Sequence, residues 1–180
     1  MDQLLGTVKM AGRMGASSEY GLSMGRENGK WRPKLTRGYT DQVTMTGEVS
    51  GLVHNHPHGR VPSREDIRAS IRISREIAAI SHPWRIVSGG KDFLFRVKLR
   101  ADGKVDVEVK VAGVGRNIVN RDAIETDIRS EWAEFIGTEI KNLEVSVVPL
   151  KVLDAEFNEA MKQYETKVST GTQIRQFMST

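Results

Sequence analysis

The chain has 180 residues, of which 38% are hydrophobic and 28% are charged. This length and composition predict one soluble globular domain with its own core and leave little room for a second. The sequence contains no cysteine, which excludes disulfides and thiolate zinc sites. The net charge of +4 comes from basic residues interleaved with acidic ones, a pattern more typical of a solvated surface than of a nucleic-acid footprint.

No stretch of the sequence has the length and apolar composition of a membrane span. The first residues also lack the basic start and long apolar run of a secretory signal. We therefore expect a cytoplasmic protein without a membrane partner. Export by a machinery that reads no signal peptide is compatible with the same sequence.

A hairpin is the first element with a clear pattern. Residues 20–24 predict a strand, and Asn28-Gly29 is the dipeptide of a tight turn. The returning strand begins at Lys30 and is predicted to end at Pro33, because proline cannot donate to a strand ladder. The residues that follow, 34–47, are polar and predict a loop, with a strand at residues 42–45 as an alternative.

A short apolar strand at residues 50–53 leads directly into the histidines. The chain after it is interrupted by two prolines and a glycine, and a helix is predicted from Ser63 to about Ile80. A further strand follows at residues 84–88. The clearest hairpin of the sequence comes next, with alternating apolar residues on both sides of Asp102-Gly103.

The last third of the chain predicts a helix, a strand and a helix. Asn120 is a candidate cap for the first helix, along which apolar residues recur every four positions at Ile124, Ile128, Trp132, Ile136 and Ile140. A strand is predicted at residues 143–148, and an amphipathic helix around residues 157–164. Together with the earlier elements, this mixture predicts an α/β or α+β fold with a mixed β-sheet flanked by helices.

One segment combines residues that could bind a metal. Residues two apart on a strand face the same side, so His54 and His56 can offer two imidazoles to one point. Pro57 and Gly59 turn the chain, and the first turn of the next helix brings Asp66 toward the same point. Two imidazoles and a carboxylate suit Zn²⁺ and leave a fourth position for water, whose pKa zinc lowers to about 7.

The spacing of this segment, His54-x-His56-Pro57 followed by Ser63-x-x-Asp66, resembles that of the JAMM (JAB/MPN+) zinc metallopeptidases. The amino-acid sequence of the segment is most similar to that of the RadC-like prokaryotic branch. The resemblance is strongest over residues 50–68 and extends over about 17–100.

The resemblance implies a JAB/MPN-type, cytidine-deaminase-like core at residues 1–115. A helix–strand–helix extension of the same domain would then occupy residues 116–167, and a flexible tail residues 168–180. It also implies a hydrolase that cuts a peptide or isopeptide bond in a protein or peptide substrate, such as a ubiquitin-like protein.

The family further implies a glutamate general base upstream of the histidines and a serine that stabilises the oxyanion. Ser63 matches the serine. Glu19 lies where family members carry the glutamate, and Glu27 and Glu48 are the alternatives. Glu27 lies at the predicted hairpin tip, and Glu48 would be roughly 20 Å from His54 along an extended chain.

Two observations leave other interpretations open. The loop between His56 and Ser63 is one residue shorter than usual in the family, which favours a divergent member. His58 is expected to be an exposed loop residue, with a substrate contact as one alternative and a metal ligand, if the register shifts, as another. Ser63-x-x-Asp66 is also a helix-capping pattern, and the two roles are compatible. The alternative functions are a non-catalytic MPN-like binding or scaffold module and a RadC-like DNA-associated protein.

Overall fold

The computed structural model describes residues 8, 18–28, 30–37, 49–56, 59–76 and 83–169. Over these ranges the chain forms an α+β fold in which three helices flank a mixed sheet of seven strands. The strands are β1 (Tyr20–Glu27), β2 (Lys30–Arg37), β3 (Val49–Asn55), β4 (Trp84–Ser88), β5 (Lys91–Leu99), β6 (Val105–Gly113) and β7 (Ile140–Val147). The helices are α1 (Arg64–Glu76), α2 (Arg121–Glu131) and α3 (Leu150–Ser169).

The strand order in the sheet is β2-β1-β3-β4-β5-β6-β7. Strand β3 is parallel to β4, and β6 is parallel to β7, whereas the other neighbours are antiparallel. Parallel neighbours need a crossover connection, and α1 and α2 lie in the two crossovers. The histidines at the end of β3 therefore lie where the crossover that contains α1 begins.

The main core lies between the sheet and the helices α1 and α2. Alternate residues of β4, β5 and β6 supply its sheet side, including Ile86, Phe93 and Val109, and α1 supplies Ile67 and Ile71. Period-two alternation in the strands and helical spacing in α1 explain why these residues share one face. This core reaches β3 through Trp84, whose ring lies edge-on to that of His54 with centroids 6.5 Å apart.

Helix α3 packs against the sheet through a buried arginine. Arg85 of β4 is fully buried, with Nη2 at 2.5 Å from Asp92 of β5 and Nη1 at 2.7 Å from Asp154 of α3. Its guanidinium also lies 5.3 Å from the ring centroid of Phe157. A buried arginine needs such partners because an uncompensated charge in the interior is costly.

Several sequence predictions are confirmed. Asn28 adopts a positive φ of 50° between the paired residues Glu27 and Lys30, as a two-residue hairpin turn requires. The hairpin of β5 and β6 turns through Gly103, whose φ is 82°. Asn120 caps α2, and its side chain accepts the Ala123 N–H at 3.0 Å.

The predicted end of the returning strand at Pro33 is wrong, because β2 continues to Arg37. Strand β2 lies at one end of the described strand order. A proline is compatible with such a position, where one side of the strand needs no ladder hydrogen bonds. The rest of the predicted loop, residues 38–47, lies outside the described residues.

The predicted continuation of α2 to Ile140 is also wrong. The helix ends at Glu131, Trp132 is its C-terminal cap, and Ile140 begins β7. Gly137 has a φ of 84°, a conformation that a helix cannot contain and that glycine tolerates. The four-residue spacing of the apolar residues therefore persists across a turn and into a strand.

The C-terminal ends of α3 and α1 can be compared with the predicted ends. Helix α3 continues to Ser169, so the predicted tail begins at least two residues later than residue 168, and residues 170–180 lie outside the described ranges. For α1, the described helix ends at Glu76, and the predicted end near Ile80 lies beyond that range.

Among the described helices, none combines the length and apolarity that crossing a membrane needs.

Candidate metal centre

Strand β3 holds the two histidines between neighbouring strands on both sides. His54 is opposite Gly21 of β1 and Ile86 of β4. His56 follows the last residue of β3, and its N–H donates to the Val87 carbonyl at 2.9 Å. Both side chains are buried, with relative exposures of 3% for His54 and 5% for His56. Their positions are therefore fixed by the sheet and not by a free loop.

Asp66 lies in the first turn of α1 and forms a reciprocal cap with Ser63. The Ser63 N–H donates to Asp66 Oδ2 at 2.8 Å, and the Asp66 N–H donates to Ser63 Oγ at 3.2 Å. This arrangement satisfies two backbone donors at the helix start. The capping pattern predicted from the sequence is therefore confirmed, and it fixes the direction of the carboxylate.

The three predicted ligands meet at one point. His54 Nε2 lies 3.0 Å from His56 Nε2 and 3.1 Å from Asp66 Oδ1. His56 Nε2 lies 3.0 Å from Asp66 Oδ2. Four tetrahedral ligands at about 2.0–2.1 Å from a zinc ion would lie roughly 3.3 Å apart. The observed spacing fits such an ion, and this buried group could hold a metal.

The second nitrogen of His56 fixes its tautomer. Nδ1 lies 3.1 Å from the Val61 carbonyl oxygen and 3.4 Å from that of Arg60, both of which can only accept. A proton on Nδ1 leaves the lone pair of Nε2 directed at His54 and Asp66. Metal-binding histidines are commonly oriented by this kind of hydrogen bond.

The charges of the cluster are strongly coupled. Burial lowers the pKa of His56, but a hydrogen bond to Asp66 and the charges of Asp66 and Glu19 outweigh it, so that the pKa is raised. Burial raises the pKa of Asp66, but the two imidazoles hold it well below its ordinary value. Two imidazole nitrogens and a carboxylate packed this closely need a shared cation, either a proton or a metal ion.

The loop that leads into α1 is held from two distant parts of the chain. The hydroxyl of Ser88, at the end of β4, donates to the Arg60 carbonyl at 2.6 Å. The indole N–H of Trp132 donates to the carbonyls of Pro62 at 3.0 Å and Ser63 at 3.1 Å. These bonds hold the backbone of residues 60–63, which leads to Asp66.

From the sequence, Trp132 is predicted only as a member of the apolar row along the helix. Its side chain is fully buried. The bracing of the loop by its indole N–H was missed, because no local pattern links residue 132 to residue 62. A tryptophan at the end of a helix is a weak signal, since it only indicates that a buried N–H needs an acceptor.

Glu19 is buried beside the cluster, with 8% relative exposure, and its charge contributes to the raised pKa of His56. It lies two residues before Gly21, which is opposite His54. Glu27 ends β1, six residues beyond Gly21, so its backbone is about 20 Å away along the strand. Glu48 lies outside the described residues.

His58, the alternative ligand, also lies outside the described residues. Among the described histidine and acidic residues, the group that could hold a metal is His54, His56 and Asp66, which are the residues predicted from the sequence.

Comparison with known proteins gives no match, whether with protein-family models, curated proteins or solved structures.

Replacing Asp66 by Asn should abolish stoichiometric metal binding. The amide keeps an oxygen for the Ser63 N–H, so the cap of α1 is largely preserved, but the negative charge and one ligand oxygen are lost. Metal content after zinc loading, measured by atomic emission, should fall from one ion per chain to none. Asp122→Asn, at an 89% exposed side chain in the first turn of α2, is the matched control and should keep one ion. Equal metal content in both variants would contradict the site.

Replacing Trp132 by Phe should weaken the site from a distance. The ring still packs in the core, but the Pro62 carbonyl loses its donor, which costs about 1–3 kcal/mol of unfolding free energy. Metal affinity should fall by about 10- to 100-fold, as for other groups that support ligands. Phe135→Leu, a packing change in the same core, should lower stability in urea titrations without changing zinc affinity.

The metal-free protein should lose stability above neutral pH. The pKa of His56 is raised above its ordinary value of 6.5 in the folded protein. Its contribution to folding stability is therefore complete below pH 6.5 and is lost as the pH rises through the folded pKa. The pKa of Asp66 is lowered below its ordinary value of 3.8. Its contribution to folding stability is therefore complete above pH 3.8 and is lost as the pH falls through the folded pKa. Thermal unfolding with chelator should therefore give a higher midpoint at about pH 5.5 than at about pH 8.

With zinc added, the unfolding midpoint should instead be higher at about pH 8 than at about pH 5.5, because the metal binds neutral imidazoles and competes with protons. His56→Ala should flatten both pH dependences. A chelated protein that is more stable at the higher pH would contradict the coupling between His56 and Asp66.

Proposed function

We propose that this chain is a zinc-dependent metallopeptidase or isopeptidase of the JAMM type, built on a JAB/MPN-like core. The proposal is carried by one observation. The Nε2 atoms of His54 and His56 lie 3.0 Å apart, each has an Asp66 carboxylate oxygen within 3.1 Å, and the buried Glu19 lies beside them. Three protein ligands with room for a fourth are typical of catalytic zinc sites, whereas structural sites use four.

The order of the elements supports the proposal. The hairpin of β1 and β2, the histidine strand β3, the helix α1 and the parallel strand β4 follow one another as the resemblance implies. The carboxylate ligand comes from the first turn of α1. Glu19 directly precedes β1, which pairs with the histidine strand.

When bound, zinc supplies Lewis acidity: it polarises the scissile carbonyl and brings the pKa of water to about 7. Glu19 is the general base in this proposal. Its carboxylate takes the proton of the attacking water and later gives it to the leaving amine. A carboxylate buried beside the cluster suits this role, because a general base must lie close to the water that it deprotonates.

Ser63 supports the reaction as a donor to the oxyanion. Its Oγ accepts the Asp66 N–H at 3.2 Å, which leaves its own hydrogen for a substrate oxygen. The serine is only partly buried, so a substrate can reach it. Such a donor contributes typically about 10²–10³ in turnover.

The chemistry of the site favours hydrolysis over the alternatives. A scaffold module has no need for a convergent set of ligands with a glutamate beside it. A DNA-associated role would need a basic binding surface, whereas the basic residues of this chain are interleaved with acidic ones along the sequence. The substrate class that we propose is a protein or peptide, including the bond between a ubiquitin-like protein and a lysine.

Glu19→Gln should lower the rate of cleavage by about 10²–10⁴ without changing the zinc content. The amide is nearly isosteric but cannot accept a proton. The assay uses fluorogenic ubiquitin-like fusions and a peptide library, each with and without chelator. Cleavage that the chelator abolishes supports a metallopeptidase.

Two controls make this test specific. Glu65→Gln changes an exposed carboxylate next to Asp66 and should leave the rate unchanged. Glu27→Gln changes the residue at the far end of β1 and should also leave it unchanged. Full activity of Glu19→Gln would remove Glu19 from the mechanism, and an inactive Glu27→Gln would move the base to Glu27.

A further inference from the structure

Asn55 lies between the two histidine ligands and is fully buried. On a strand, alternation places it on the other side of the sheet from His54 and His56. A buried amide must find hydrogen-bond partners, and Asn55 finds two on the neighbouring segment that leads into β1. Its Oδ1 accepts the Tyr20 N–H at 2.6 Å, and its Nδ2 donates to the Ser18 carbonyl at 3.2 Å.

These two bonds flank Glu19. The Ser18 carbonyl belongs to the peptide unit before Glu19, and the Tyr20 N–H belongs to the peptide unit after it. Because a peptide unit is planar, fixing one atom group in each unit restricts both backbone dihedrals of the residue between them. Asn55 thereby sets the direction in which the Glu19 side chain leaves the backbone.

We infer that Asn55 is a positioning residue that holds Glu19 at the metal centre, through the hydrogen bonds of its side chain to Ser18 and Tyr20. The inference rests on the proposed function, because Glu19 is the general base only in that proposal. One strand end then carries both parts of the catalytic arrangement. His54 and His56 provide ligands on one side, and the amide between them fixes the base in the segment just before β1.

The first test reads the backbone and needs no activity. In Asn55→Ala, the Tyr20 amide loses its acceptor, so its hydrogen exchange, resolved by NMR, should speed up relative to wild type. Asn55→Asp keeps the acceptor and loses the donor, so the Tyr20 amide should stay protected. Asn120→Ala, which removes the cap of α2 far from the site, should leave Tyr20 unchanged. Unchanged Tyr20 exchange in Asn55→Ala would overturn the inference.

The second test asks whether Asn55 acts through Glu19. With wild-type Glu19, Asn55→Ala should lower kcat by about 10- to 100-fold, with KM and zinc content unchanged. In the Glu19→Gln background, the same substitution should cause no further loss of the residual rate. A similar loss in both backgrounds, or a loss that follows the zinc content, would assign Asn55 a structural role only and overturn the inference.

The variants also separate this inference from the proposed function. If Asn55→Ala does not fold, the nearly isosteric Asn55→Asp decides, and its kcat should lie below that of wild type at equal zinc content. A kcat equal to wild type would overturn the inference. If the wild-type chain cleaves no substrate, the proposed function fails, while the exchange of the Tyr20 amide still decides whether Asn55 holds the Glu19 segment.

Discussion

One carboxylate links the start of α1 to the two imidazoles. Oδ2 of Asp66 accepts the Ser63 N–H at 2.8 Å and lies 3.0 Å from His56 Nε2, while Oδ1 lies 3.1 Å from His54 Nε2. The bond that caps the helix therefore also orients the ligand. A ligand whose rotamer is set by the fold loses little conformational freedom when a cation binds, which favours affinity. Helix formation and the geometry of the centre consequently depend on the same few atoms.

The connection between the strand and this helix shows how an irregular segment can be made rigid. Its described carbonyls accept hydrogen bonds from a serine at the end of β4, from the ring of His56 and from the indole of Trp132. These donors lie at the ends of regular elements: Ser88 ends β4, His56 follows β3 and Trp132 caps α2. A short loop can therefore present Asp66 as accurately as a longer one, because its path is determined by donors outside the loop.

Patterns among residues close in sequence predicted much of the fold and the candidate metal ligands. The alternation of His54 and His56 on a strand, and the cap that contains Asp66, depend only on residues close in sequence, and the structure brings these three side chains together. The errors lie where distant contacts decide. Pro33 stays within a strand because that strand lies at one end of the described order, and Trp132 ends a helix where its N–H meets a loop 70 residues away. Neither circumstance is visible in a window of neighbouring residues.

The choice among the upstream glutamates depends on strand register, which the sequence alone does not specify. Strand β1 runs antiparallel to β3 with Gly21 opposite His54, so Glu19 falls near the ligands. A slip of one residue would move every side chain of β1 to the other face and take Glu19 away from the centre. The pairing of β1 with β3 is short, and alternation of apolar residues alone would define it weakly. The bonds from Asn55 to the backbone around Glu19 select one register over its neighbours, because only one alignment places both peptide groups within reach of the same amide.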